Sequence, residues 1–138
     1  MDSTNGSGLV GLVLVSHSAS IADGLAELVG QVAGPDVTIV TAGGGPEGTL
    51  GTDGGRVLDA LRAVDSEAGT VVLVDLGSSL LSVRAALAEL TSEEQSRIVL
   101  ADAPLVEGSI AAGVVASTRA TLAEVVSAAE EARNVRKL

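Results

Sequence analysis

The sequence predicts an α/β fold: an open, mainly parallel sheet with helices on both faces. Three observations carry that prediction. Short, continuously apolar runs rich in Val, Leu and Ile recur along the chain, as strands buried on both faces of a parallel sheet require. Between them lie stretches whose apolar residues fall three and four apart, the spacing of a helical stripe. Short connections join the two kinds of segment in the order βαβαβαβα, and right-handed crossovers then bring each strand back parallel to the last. With 138 residues the chain has room for one core, so residues 9–138 are expected to form a single domain behind a small, polar, disordered tail at 1–8.

The first strand is expected over 9–15, LVGLVLV, ending at Ser16. Ser20 and Asp23 read as a capping-box-like pair for the first helix, whose stripe is Ile21, Leu25, Leu28, Val29 and Val32. GPD at 34–36 stops it, and VTIV at 37–40 reads as the second strand. The glycine-rich segment AGGGPEGTLGTDGG follows, then a second helix striped by Val57, Leu58, Leu61 and Val64 and capped by Thr52 or Asp53. TVVLVDL, 70–76, is the third strand, GSSLLSVRAALAEL opens the third helix, and RIVLAD, 97–102, is the fourth strand. Pro104 begins a further helical region, LVEGSIAAGVVAS. Thr121 with Glu124 caps a final helix carrying Leu122, Val125, Val126 and Ala129.

Composition narrows the chemistry. The core must be built from small aliphatic side chains, because the chain has no Phe, Tyr or Trp. Flavin, haem or base stacking on aromatics is correspondingly disfavoured. A formal charge of −10, from 8 basic and 18 acidic residues, repels a phosphate backbone, so no nucleic-acid partner is expected. Without cysteine there is no disulfide, thiol nucleophile or thiolate metal site, and one histidine makes a zinc site improbable. No metal ligands are therefore assigned. The segment MDSTNGSG has no basic region, and the apolar run after it is too short for a signal or membrane span, so a soluble, cytoplasmic protein with no membrane contact is expected.

For the flavodoxin-like strand order 2-1-3-4, strand order reverses between strands one and three, and ligands bind there at the carboxyl ends. Strand one ends in Ser16, His17 and Ser18, and strand three in Asp75, Leu76, Gly77 and Ser78. The only imidazole of the chain and a carboxylate thus share one crevice. His17 reads as a phosphoryl acceptor, a general base or an incidental loop residue. Asp75 reads as its orienting partner, fixing the tautomer, or as a helix cap. Gly43 and Gly44 with Thr52 are candidates for anion contacts, as are Ser78 and Ser79, which also suit caps of the third helix. Neither a P-loop, a dinucleotide fingerprint nor a G-x-S-x-G elbow is present, although His17 and Asp75 with a serine could imitate a triad. Leu76, Leu80, Leu105 and Val106 are expected to form a docking rim. The competing reading is a non-catalytic, receiver-like signalling or ligand-binding module with Asp75 as acceptor. It lacks acidic metal ligands after strand one, and the only lysine, Lys137, stands in the tail.

The stretches LVLVSHSASIADGLAELV, GTDGGRVLDAL, VDLGSSLLSVRAAL and APLVEGSIAA, spread from Leu9 to Val126, resemble the mannose-family enzyme IIA domains of the sugar phosphotransferase system. Within that group the chain is similar to the phosphoryl-carrier subunits of phosphoenolpyruvate-dependent dihydroxyacetone kinases. The resemblance implies that the histidine of SHS, His17, takes a phosphoryl group from the phosphohistidine of HPr and passes it to ADP held on the DhaL subunit, while DhaK holds dihydroxyacetone. It implies that Asp75, in DLGSS, pairs with that histidine, that the fold is flavodoxin-like and that a homodimer forms. No cofactor would belong to this chain itself, since the nucleotide sits on DhaL. Some relatives continue into HPr-like and enzyme-I-like domains, whereas this sequence stops after EEARNVRKL, so a single-domain form or a fragment is expected. The loop GGGPEG is also richer in glycine than the resemblance implies.

Overall fold

The computed structural model describes residues 8–138, so the expectation for the N-terminal tail lies, apart from Gly8, outside the described residues. Four strands, β1 (Gly11–Ser16), β2 (Ile39–Gly43), β3 (Thr70–Val74) and β4 (Ile98–Leu100), form one sheet in the order β2-β1-β3-β4. Every neighbouring pair is parallel. Six helices connect and cover them: α1 (Ala19–Ala33), α2 (Gly54–Val64), α3 (Gly77–Ala88), α4 (Ser92–Gln95), α5 (Leu105–Ala116) and α6 (Leu122–Glu131). The flavodoxin-like α/β order expected from the sequence is the order observed.

The two-residue period of the strands divides the core into two layers. Leu12 and Leu14 of β1, with Val71 and Leu73 of β3, pack under Leu25 and Val29 of α1, Ala112 and Ala116 of α5 and Val125 and Ala129 of α6. Val13, Val15 and Val72 point the other way, onto Val57, Leu61 and Val64 of α2 and Val83 and Ala86 of α3. Both faces of the central strands are therefore dry, which is why their sequences are continuously apolar rather than alternating.

Several element ends differ from expectation, each for a local reason. The cap of α1 is Ser18, whose hydroxyl accepts from the Ile21 N–H; Ser20 lies inside the helix, and Asp23 instead accepts from the Thr41 hydroxyl. Strand β2 is shifted to Ile39–Gly43 because its pairing runs from Leu12↔Ile39 to Ser16↔Gly43, while Val37 adds to the core without joining the strand. Asp53, not Thr52, caps α2 by accepting from the Gly55 N–H. Strand β3 stops at Val74, two residues short of the apolar run's expected end, and β4 keeps only Ile98–Leu100. The short α4, closed by a Thr91–Glu94 capping box, was not expected because its SEEQ segment carries no apolar stripe. The Thr121–Glu124 box on α6 forms as the sequence predicts.

Candidate functional site

His17 and Asp75 are the first residues beyond β1 and β3, and the parallel pairing that matches Val15 with Val74 delivers them side by side. The Asp75 carboxylate is the hub of the crevice. Its Oδ2 accepts from the Ser16 hydroxyl and from the His17 backbone N–H, each at 2.9 Å. Its Oδ1 accepts from the Ser79 hydroxyl at 2.9 Å and the Leu76 N–H at 2.7 Å, and lies 2.9 Å from His17 Nδ1. Burial alone would raise the pKa of this acid. The hydrogen bonds from the His17 backbone, the His17 ring and the Ser16 and Ser79 hydroxyls outweigh it and hold the carboxyl well below the usual carboxylate range. Asp75 is thus an anion at any physiological pH, and an anion facing Nδ1 selects the tautomer that donates from Nδ1.

The other ring nitrogen is then the acceptor. Nε2 lies 2.6 Å from the Ser78 hydroxyl, which donates to its lone pair. Ser79 Oγ also approaches Nδ1, at 3.2 Å, so the imidazole is held on both edges. The His17 side chain keeps a quarter of its surface open to solvent. Ser16, fully buried, closes the floor: its oxygen accepts from the Ser18 N–H while its proton goes to Asp75.

Helix α3 starts against this imidazole, and unlike α1, α2, α4 and α6 it has no side chain capping its N-terminus. Ser78 and Ser79 turn toward His17 and Asp75 instead, so their expected capping role is replaced by the site, and Leu76 occupies the N-cap position. The first-turn N–H groups of a helix lack i−4 partners; in α3 the Ser79 N–H is met by the Leu76 carbonyl at 3.0 Å instead of by a side chain.

The glycine loop is placed differently from expectation. Gly43 and Gly44 are buried, and the Gly44 N–H donates to the Ser16 carbonyl. A Cβ on Gly43 would stand 2.7 Å from Ala19 Cα, so this glycine lets β2 approach the start of α1. Both pack β2 and the turn after it closely against the start of α1. Thr52 pairs with Ser82 of α3 at 2.5 Å, tying the loop to that helix, and the Gly51 N–H donates to the His17 carbonyl. Of the expected docking residues, Leu76 and Val106 are exposed, whereas Leu80 is only partly so and Leu105 packs against the core beneath α5. Sequence reasoning missed the Ser16 contribution and the leucines Leu50 and Leu81, both more than two-thirds exposed. An apolar residue in a glycine loop is the signal that would have found Leu50. Among the described residues, no group of three or more His, Cys, Asp or Glu could hold a metal ion. No helix there is long and apolar enough to cross a membrane.

The family model EIIA-man, described as the PTS system fructose IIA component, matches residues 11–126. The chain belongs to the EIIA-man family. Within it, the chain is 36% identical over 106 residues to the phosphoryl donor subunit DhaM of PEP-dependent dihydroxyacetone kinase 2 from Listeria innocua, covering 77% of this chain and 85% of that relative. The DhaM subunits of Providencia stuartii and Escherichia coli are 37% and 36% identical over 90% and 86% of this chain, which spans only 27% and 26% of their lengths. Among solved structures, the EIIA-man chain is similar to EF1359, a protein of unknown function. The TM-score is 0.80 at 34% identity, over 88% of this chain and 93% of that one. A likeness to the dihydroxyacetone kinase of C. freundii, TM-score 0.60 at 18% identity over 92% of this chain and 25% of that one, speaks to the fold alone.

Proposed function

We propose that this EIIA-man chain is a phosphohistidine carrier, in which His17 accepts a phosphoryl group from the phosphohistidine of HPr. The group then passes to ADP bound on a DhaL subunit, for phosphorylation of dihydroxyacetone on DhaK. The observation that carries the reading is the orientation of one ring: Nδ1 faces an obligate anion, which leaves the lone pair on Nε2, shielded only by the exposed Ser78 hydroxyl, in a side chain that is a quarter open to solvent. In the accepting step Nε2 attacks phosphorus in line, its N–P bond forming as the donor's N–P bond breaks and the donor imidazole leaves with the electron pair. No proton has to leave Nε2. In the onward step that bond breaks and a P–O bond forms to the terminal phosphate of ADP. Positioning and N–H or O–H donors suffice for such a transfer. The Ser78 hydroxyl, which swings off Nε2 as phosphorus arrives, would then donate to an oxygen of the transferred group. DhaM names among the relatives support this reading.

Incubation with enzyme I, HPr and phosphoenolpyruvate, followed by mass spectrometry, tests it. The wild-type chain should gain one acid-labile phosphate on His17, and His17→Ala should gain none while keeping its fold. A phosphate retained on that variant would exclude His17.

A receiver-like role for Asp75 is disfavoured, because both carboxylate oxygens are committed to donors. One geometric feature does favour a second reading. Ser78, His17 and Asp75 follow one another in the hydrogen-bond order of a hydrolase triad. A serine-directed fluorophosphonate separates the two: labelling of Ser78 would support the hydrolase, and its absence alongside a labelled His17 the carrier.

A further inference from the structure

Leu12 and Leu14 of β1 face the layer beneath α1, α5 and α6, and the two-residue period continues their row to Ser16. In β3 the row of Val71 and Leu73 continues, just past the strand, to Asp75. Each apolar row thus ends in a polar residue, and the two ends meet. Ser16 is fully buried there, with its hydroxyl 2.9 Å from Asp75 Oδ2.

Burial decides what that hydroxyl does. Its oxygen accepts from the Ser18 N–H at 3.1 Å, and Ser18 is itself held at the start of α1 by the Ile21 N–H. The one proton is left for the carboxylate, which can only accept. The bonds of the Ser16 hydroxyl go to Asp75 and Ser18 and not to the imidazole, whereas Ser79 Oγ lies 2.9 Å from Asp75 and 3.2 Å from Nδ1. Any effect of Ser16 on the ring is therefore carried by the acid. On the side of β1, Oδ2 is held by two donors, the Ser16 hydroxyl and the His17 N–H, while Oδ1 meets Nδ1.

We propose that Ser16 is a positioning residue for phosphoryl transfer: its hydroxyl locks the Asp75 carboxylate with Oδ1 on Nδ1, and so keeps the ring proton there and the lone pair on Nε2. This rests on the carrier reading and extends it one residue inward. The lock moves no proton of its own. Nε2 gives its electron pair to phosphorus and takes it back when the group leaves, while Nδ1–H stays facing the acid. Without the hydroxyl, Oδ2 keeps a single donor on the side of β1, and the carboxylate turns to share its remaining donors, carrying Oδ1 off Nδ1.

Nitrogen NMR shifts of the imidazole and turnover with phosphorylated HPr test this together. In the neutral ring of the wild type the proton should reside on Nδ1; in Ser16→Ala it should be shared with Nε2. Ser16→Ala should also lose about tenfold in kcat for phosphoryl acceptance with KM unchanged, because a residue with no exposed surface touches no partner. Ser16→Thr, which keeps the hydroxyl, should bring both readings back toward wild type. If Ser16→Ala does not fold, as judged by circular dichroism, Ser16→Cys replaces it, with a similar shape and a weaker donor, and the same changes are expected in smaller measure. A serine that only packs the core would lower the melting temperature and leave the tautomer and the kcat of the folded chain alone. That result overturns the proposal, as does a fall in kcat with the proton still wholly on Nδ1. The ring shifts need no phosphoryl donor, so a wild-type chain that phosphorylated HPr never labels overturns the carrier reading, while the shifts still decide the hold of Ser16 on the ring.

Discussion

Ser78 and Asp75 grip opposite edges of one imidazole, and substitutions at the two should fail differently. Ser78→Ala removes a hydroxyl from Nε2 and leaves the tautomer untouched. Phosphorylation should continue at a rate about tenfold lower, the value of one hydrogen bond to a charged group. Asp75→Asn removes the anion that selects the tautomer, and phosphoryl acceptance from HPr should fall by about 10². The acid also carries a pH signature. Its pKa is depressed in the folded chain, so its contribution to stability is complete above the unfolded carboxyl value of about 3.9 and is lost as pH falls through the lower folded value. The difference in urea-unfolding free energy between wild type and Asp75→Asn should therefore narrow as pH falls below about 4. An unchanging difference down to about pH 2 would mean that the carboxylate is not held as described.

Among the elements, the close contact of β2 with the start of α1 constrains the backbone beside the site. A methyl on Gly43 would meet the Ala19 backbone at 2.7 Å and Ala22 Cβ at 2.8 Å, and neither atom can rotate away. Gly43→Ala should cost about 1–3 kcal/mol in urea unfolding, and because α1 begins two residues after His17 it should also slow phosphorylation. Tolerance of the methyl with no loss of stability would contradict the packing. The helical stripes of α1, α2 and α6 were legible because burial on one side repeats every three to four residues. Their ends were less so: Ser18 rather than Ser20 caps α1 because β1 continues through Ser16 and the chain turns at once. The bounds of β2 follow from its register with β1, a property of two segments that neither carries alone.

For the molecule as a whole, the charge of −10 acts against compactness by self-repulsion, since among the described residues five side-chain cations are paired with carboxylates. Added salt shortens the reach of that repulsion to about 10 Å at 0.1 M, so the thermal midpoint should rise between about 0.01 and 0.1 M sodium chloride; a fall would show that surface ion pairs dominate instead. By itself the sequence determined four buried strands, the helices between them, the parallel order that brings strands one and three together, and the meeting of His17 with Asp75. The strands and helices follow from local apolar patterning, which a linear chain displays openly; the meeting of His17 with Asp75 follows once the flavodoxin-like order 2-1-3-4 is taken for such a βα series. Only the tertiary structure decided that Gly43 packs against the start of α1, that Ser78 and Ser79 turn their hydroxyls to the imidazole and its acid, and that Leu50 and Leu81 stand in the open. Those outcomes depend on hydrogen-bond geometry between residues some sixty positions apart, where a few tenths of an ångström separate a bond from a near miss.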